Sequence, residues 1–262
     1  MEVFMKKKAS IEFETKGISC WVDDNIAVLK LSCSAFETIV NVEKDDSIMD
    51  WMDLVEASKD ITGIMAVNDK DCFGDVAYAN FLSEISGQKL SPDSPEPITK
   101  FENSQIRSIE INMLMNFIKK IMNFKKVFIS ALNGQVATPF FGLSLASDLR
   151  LANENVVFSL SHLKYAIHPS GALPFFLPRF IGISRATEML LKGGTISVRE
   201  AEELGLVNKI LSKENFMEEA IAESKKLCRL SPQYIKITKT LLHNYNKELN
   251  NYFDIESNYL LS

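Results

Sequence analysis

The chain has no apolar run approaching the roughly 18 to 20 uninterrupted residues that a membrane helix needs, so no segment is expected to span a bilayer. It also lacks a basic surplus: 29 Lys and Arg stand against 34 Asp and Glu, for a formal charge of −5. Nucleic acid and anionic membranes are gripped through a basic footprint, so neither is expected as a partner. Cysteine is sparse. Cys20, Cys33, Cys72 and Cys228 are scattered without metal-ligand spacing, and a chain of this length does not need disulfides to hold a core. Reduced, mostly buried thiols and no metal centre follow as expectations. Met1 to Lys8 is basic but has no apolar stretch after it, which points to a cytoplasmic protein. There is no internal repeat.

What is present is core-forming material. The 262 residues are 46% hydrophobic and 24% charged, enough for one sizeable core with a small appendage. Short apolar runs at Ile26 to Leu31 and Gly63 to Val67 end in Asp or Asn clusters and read as strands. A short helical pattern at Ile48 to Ala57 lies between them, and strand, helix, strand favours a parallel pair. Pro92, Pro95 and Pro97 mark residues 87 to 104 as a mobile loop that cannot pack a core. Ile106, Ile109, Met113, Phe117 and Ile121 then recur at helical steps, which predicts an amphipathic helix. Lys125 and Lys126 close it, and Val127 to Leu132 reads as a buried strand. Ser197 with Glu200 forms a capping box, and Gly205 supplies a stop for a helix over Val198 to Leu204. Ser231-Pro232 starts another helix. From it Tyr234, Ile237, Leu241, Tyr245 and Leu249 make one stripe, predicting a long terminal helix that docks on the core or on a neighbouring subunit. His243 reads as a surface residue of that helix.

The strand Val127 to Leu132 is followed by Asn133-Gly134, a helix-compatible run to Asp148, and Leu149 to Ala152. That order sets a helix N-terminus at the mouth of a sheet, where backbone N–H groups can face an anionic oxygen. The pattern resembles the central segment of the crotonase (enoyl-CoA hydratase/isomerase) family. The likeness continues through Phe158, Pro169, Leu177-Pro178-Arg179, Gly182, Arg185-Ala186, Glu188 to Leu191, Glu200-Ala201 and Gly205 to Asn208.

The resemblance implies an α/β fold with a spiral core of ββα turns over residues 1–195 and a helical C-terminal trimerisation region over 196–262. It implies a substrate that is an acyl thioester, carried on coenzyme A or on an acyl-carrier protein, with no other cofactor. The assembly it implies is a homotrimer or a dimer of trimers. Two backbone N–H groups would polarise the thioester carbonyl.

Several residues depart from the family pattern. Pro139, in Thr138-Pro139-Phe140-Phe141-Gly142, stands where the second N–H donor belongs, and proline has none. A shift of one residue would put the Phe140 N–H there instead. The first donor loop corresponds to Phe73 through Tyr78, with the Asp75 N–H as donor and its carboxylate either beside the oxyanion or turned to solvent. Gly142 and His162 occupy the places of the two catalytic glutamates, so hydration by paired carboxylates is not expected. His162 is either a lone general base or a packed structural residue. His168 borders the acyl pocket. Ser170 stands where aryl-CoA dehalogenases of the family carry a nucleophilic aspartate, with His168 two residues away as a candidate base. Phe140, Phe141, Leu173, Pro174, Phe175 and Phe176 either narrow the acyl channel or fill core. Cys33-Ser34-Ala35-Phe36 replaces the turn that seats the CoA nucleotide. Two functions remain open: enolate chemistry on a thioester, by isomerisation or decarboxylation, or a non-catalytic binding or structural subunit.

Overall fold

A computed structural model describes residues 11–15, 17–32, 47–242 and 245–260. Strands Phe13–Thr15 (β1), Ile18–Asp23 (β2) and Ile26–Leu31 (β3) form an antiparallel edge. Gly63–Asn68 (β4), Val127–Leu132 (β5), Leu149–Asn153 (β7) and Lys209–Leu211 (β10) extend it in parallel, giving the order β1-β2-β3-β4-β5-β7-β10. The mostly parallel sheet is buried on both faces, as parallel sheets require.

Strand alternation sorts the side chains into two clusters. Ala27, Leu29, Ile64, Phe128 and Leu132 face one, while Ile26, Val28, Met65, Ile129 and Leu151 face the other. Each of these side chains larger than alanine contributes about 1.5–3 kcal/mol when fully buried. The second face is covered by Phe216 and Ala220 of helix Phe216–Leu227 (α8) and by Ile235 of Pro232–Leu242 (α9). The first face meets helices Ser47–Ala57 (α1), Asp75–Ser86 (α2) and Ser104–Asn123 (α3).

Lys126 leads into β5 and is buried, with its ammonium spent on main-chain oxygens. It donates to the carbonyls of Val55, Ser58 and Ile61 at 2.7, 2.5 and 2.6 Å. These are the carbonyls at and just beyond the end of α1, where intrahelical donors run out.

A second sheet positions the candidate site. Its strands are Gln135–Ala137 (β6), Val157–Ser159 (β8) and Thr195–Ser197 (β9), paired in that order, β6 with β8 parallel and β8 with β9 antiparallel. Helix Thr138–Leu145 (α4) follows β6 without a break. The run after Asn133-Gly134 is therefore a strand first and a helix only from Thr138. Gly134, at φ +75°, makes the turn, and a Cβ there would stand 2.3 Å from Asp71 Oδ1.

The structure corrects three more expectations. The buried face of α3 is Arg107, Glu110, Ile111, Leu114, Ile118, Ile121 and Met122; of the expected stripe Ile121 lies on it, while Ile106, Ile109, Met113 and Phe117, one residue round, are half-buried. The proline segment packs after all: Leu90 is buried, Ile98 and Phe101 rest on the core, and the Ile98 N–H donates to the Tyr165 carbonyl at 2.9 Å. The terminal helix is two helices, α9 and Asn246–Leu260 (α10). Leu249 docks on the core, but Tyr234, Ile237 and Leu241 are exposed. The capped helix is found as Val198–Glu203 (α7), with Ser197 Oγ accepting from the Glu200 N–H.

Cys20, Cys72 and Cys228 are buried. Residues 33–36 and His243 lie outside the described residues. Among the described residues no helix is long and apolar enough to cross a membrane.

Candidate active site

The two loops expected to supply carbonyl-polarising N–H groups lie side by side. Phe73 bridges to Val136 of β6, and the Ala137 N–H donates to the Phe73 carbonyl at 2.7 Å. That pairing brings the Phe73 ring onto Phe140 in the first turn of α4, with centroids 3.8 Å apart and planes 13° from parallel. Phe73 and Phe140 are both buried.

The Asp75 N–H is engaged elsewhere. It donates to Gln135 Oε1 at 2.9 Å. The Asp75 carboxylate does not turn to solvent: it is buried and accepts from Ser159 Oγ at 2.9 Å and Lys164 Nζ at 2.7 Å. The local cause is visible, since Gly74 caps α2 without a side chain and leaves Asp75 in its first turn, where a carboxylate is favoured.

Pro139 sits in the first turn of α4, a position that tolerates a missing N–H. It packs main chain against main chain. A Cβ on Gly171 would stand 2.1 Å from the Pro139 carbonyl oxygen, and a Cβ on Gly142 would stand 2.2 Å from the Gly171 carbonyl oxygen. The turn at Gly171 and Ala172, both at positive φ, thus occupies the space that a side chain at 142 would need. No carboxylate can project from position 142 in this arrangement.

His162 is buried in a short 3-10 turn, Ser161–Tyr165. Its Nε2 lies 3.3 Å from the Leu190 carbonyl, which only accepts, so Nε2 carries the proton. Its Nδ1 faces Thr138 Oγ1 at 3.1 Å. Burial pushes its pKa down to about 4. This is a neutral ring with both nitrogens occupied, positioned as a brace between α4 and the Leu190 main chain.

His168 and Ser170 do not meet as base and nucleophile across a cavity. His168 lies edge-on to Tyr259 at 5.9 Å between centroids. Ser170 is buried beside the Tyr78 phenol. Behind them is a polar cluster that patterning of the sequence did not reveal. Arg107 and Glu110 form a fully buried ion pair on α3, and Glu256 of α10 accepts from the Ala172 N–H at 3.1 Å and from Tyr252 OH at 2.8 Å. Burial pushes the Glu256 carboxyl up to about 7. The signal was the spacing Arg107 to Glu110, an i, i+3 pair on the inward side of α3, hidden because charge is ordinarily assigned to the solvent side.

Phe141 packs on Phe158 at 4.4 Å, and Leu173, Phe175 and Phe176 of helix Leu173–Ile181 (α5) are buried in the same core, where they fill space, Phe176 also forming part of the wall of a surface cleft; Pro174 is half-buried. Two cavities of about 30 and 40 Å³ flank Phe140 and share Leu31, Phe117 and Leu143 as walls. Sites for drug-sized ligands run from about 300 Å³ upward. Among the described residues no group of three or more His, Cys, Asp or Glu side chains converges as a metal site would require.

The sequence pattern of the enoyl-CoA hydratase/isomerase family matches residues 101–262. A Mycobacterium tuberculosis protein named Probable enoyl-CoA hydratase echA12 is 31% identical over 187 residues, covering 66% of this chain and 65% of that protein. The 4-chlorobenzoyl coenzyme A dehalogenase-1 of an Arthrobacter species is 32% identical over 99 residues, 38% of this chain and 36% of that protein. The chain therefore spans under two thirds of either relative's length. In three dimensions it is similar to an enoyl-CoA hydratase from Bacillus halodurans, with TM-score 0.71, 18% identity and 94% of each chain covered.

Proposed function

The chain belongs to the enoyl-CoA hydratase/isomerase family, and from that premise we propose that it is a member without paired-carboxylate hydration chemistry, serving as a non-catalytic binding or structural subunit. The observation that carries this reading is the contact of Gly142 with the Gly171 carbonyl, which leaves no room for an acid–base side chain at 142. It is supported by the Phe73–Phe140 stack, by the engaged N–H of Asp75 and by the neutral, doubly engaged ring of His162. A general base must reach its proton within hydrogen-bond distance, and a nitrogen already spent on a main-chain carbonyl does not.

Self-association, as a homotrimer or dimer of trimers, belongs to the same reading. Helix Ile183–Lys192 (α6) buries only Ala186 of its ten residues, and Ile183 and Leu191 are 72% and 75% exposed. A cleft of about 960 Å³ beside α9 has Leu230, Tyr234 and Leu242 on its rim. Apolar surface on this scale is what subunit interfaces cover.

A second reading is favoured by the two cavities about Phe140. Rotation of that one ring would join them, and an acyl chain could then enter for enolate chemistry on a thioester of coenzyme A or of a carrier protein. Such an enzyme would not use His162 as its base.

The test is turnover of crotonyl-, 3-enoyl- and malonyl-CoA by the purified protein, with calorimetry against CoA and acetyl-CoA alongside. The expected result is no turnover of any of the three. Catalysis that survives replacement of His162 would establish the second reading. Catalysis abolished by His162→Ala would overturn the account of that residue as a brace.

A further inference from the structure

The chain contains a single Asn-Gly pair, Asn133-Gly134, in the turn from β5 to β6. Such a pair is chemically labile, because glycine has no side chain to shield its main-chain nitrogen and leaves the backbone free to turn. The glycine nitrogen loses its proton and attacks the asparagine Cγ. A C–N bond forms, closing a succinimide ring, and the side-chain nitrogen leaves with the proton as ammonia. Water then opens the ring at either carbonyl, to aspartate or to isoaspartate, whose main chain is longer by one methylene.

The fold imposes this pair. Gly134 stands at φ +75°, and a Cβ there would overlap the carboxylate oxygen and the main-chain nitrogen of Asp71. A side chain at 134 is therefore excluded, and protection has to come from the neighbours of the pair.

Asn155, in the turn between β7 and β8, engages both reacting groups. Its Oδ1 accepts from the Gly134 N–H at 2.9 Å, and its Nδ2 donates to Asn133 Oδ1 at 3.2 Å. A main-chain N–H only donates, which fixes the end of the Asn155 amide that faces it. The attacking nitrogen is thus kept protonated and directed at Asn155, while the group it would attack is held by its oxygen. Asn155 is itself anchored, its N–H donating to Asn153 Oδ1 at 3.1 Å. From the other side Asn68 grips the main chain of Asn133, accepting from its N–H at 3.1 Å and donating to its carbonyl at 2.7 Å.

We propose that Asn133 is a latent site of self-modification, with water as its co-reactant, and that Asn155 is the clamp that keeps it closed in the folded protein. What the clamp guards lies just downstream. Gln135 Oε1 occupies the Asp75 N–H, and an isoaspartate at 133 lengthens the main chain that sets Gln135 in place. The proposal does not depend on whether the Phe140 region is catalytic.

The test is to incubate the full chain and Asn155→Ala at mildly alkaline pH below their melting temperatures. Isoaspartate at 133 is then counted by peptide mapping with mass spectrometry, beside the same chains unfolded in guanidinium. Loss of both hydrogen bonds is expected to raise the folded-state rate at least about tenfold, with the two unfolded chains alike. Asn155→Asp keeps an acceptor for the Gly134 N–H and is expected to stay close to the unchanged rate. Phe140→Ala, which loosens packing elsewhere, is expected to leave the rate at 133 unchanged. A folded chain that reacts as fast as its unfolded form would overturn the assignment, and so would an Asn155→Ala rate no higher than that of the unchanged protein. An equal rise in Asn155→Asp or in Phe140→Ala would do the same.

Discussion

The ring of Phe73 lies flat on the ring of Phe140, 3.8 Å between centroids, and so one aromatic from each of the two segments expected to supply the N–H donors seals the place where those segments meet. The seal is a packing interaction, and its removal has a measurable cost. Phe140→Ala should destabilise the fold by about 3–5 kcal/mol and merge the two small cavities into one apolar space. Denaturant unfolding gives the first figure and xenon binding reports the second. A loss under about 1 kcal/mol would mean that the stack carries little of the packing.

Restoring a glutamate at position 142 should not restore hydration. Gly142→Glu drives a Cβ into the Gly171 carbonyl, and even Gly142→Ala meets the same backbone atom at 2.2 Å. Both are expected to unfold at lower denaturant, by at least about 2 kcal/mol, with crotonyl-CoA left untouched. A well-folded, active Gly142→Glu protein would show that the turn at Gly171 retracts.

The depressed pKa of His162 gives stability a pH slope. Burial holds the folded value near 4, while the unfolded ring titrates near the ordinary value of 6.5. Between these values the unfolded chain binds more protons, so the contribution is present above about 6.5 and is lost as pH falls through 4. At most it is on the order of 3 kcal/mol. Subtracting the stability profile of His162→Gln from that of the unchanged protein should expose this slope, and parallel profiles would contradict it.

Glu256 has the opposite sign. Its carboxyl titrates near 7 when folded and near the ordinary carboxyl value of 4.5 when unfolded, so the folded state binds more protons between those values. Stability linked to it is therefore highest below about 4.5 and falls as pH rises through 7. Glu256→Gln, which keeps an acceptor for the Ala172 N–H, should raise the melting temperature at pH 8 and leave it nearly unchanged at pH 4.

Self-association should depend on the exposed apolar helix faces. Ile237→Asp with Leu241→Asp on α9, or Leu191→Asp on α6, places charge on surfaces that are 52%, 73% and 75% exposed in one chain. Sedimentation velocity should show smaller species for these variants at unchanged helix content. A monomeric unchanged protein would remove the assembly from the proposal.

The four central strands of the sheet could be read in the sequence because they are short and mostly apolar, whereas β1, β2 and β10 were not. Ile26 to Leu31 and Val127 to Leu132 appear with the limits that periodicity sets for them. The α3 face was misplaced by about 100° because Arg107 and Glu110 satisfy one another inside, and a rule that sends charge outward cannot see a pair that neutralises itself. At the site, the sequence revealed which residues stand at Pro139, Gly142 and His162 but not the closure around them. That closure depends on the main chain at Gly171 and Ala172, far downstream of Gly142, and on a 3.8 Å stack between rings from separate segments. Contacts of that kind have no local periodicity. The division of the tail into α9 and α10 was missed for a related reason: one continuous stripe from Tyr234 to Leu249 fits a single helix, while the structure turns the first half outward and the second half in.

The three carbonyls that hold the Lys126 ammonium belong to the main chain, so the far end of α1 is moored by atoms that every amino acid possesses. Side chains reinforce it: Ser58 Oγ accepts from the Asp60 and Ile61 N–H groups at 3.3 and 3.4 Å, and the Glu56 carboxylate accepts from the Lys125 N–H at 2.7 Å. Lys126→Met, which removes the nitrogen, leaves all three without that partner at once, at the far end of the helix that carries Ile48 and Met49 against the space beside Phe140.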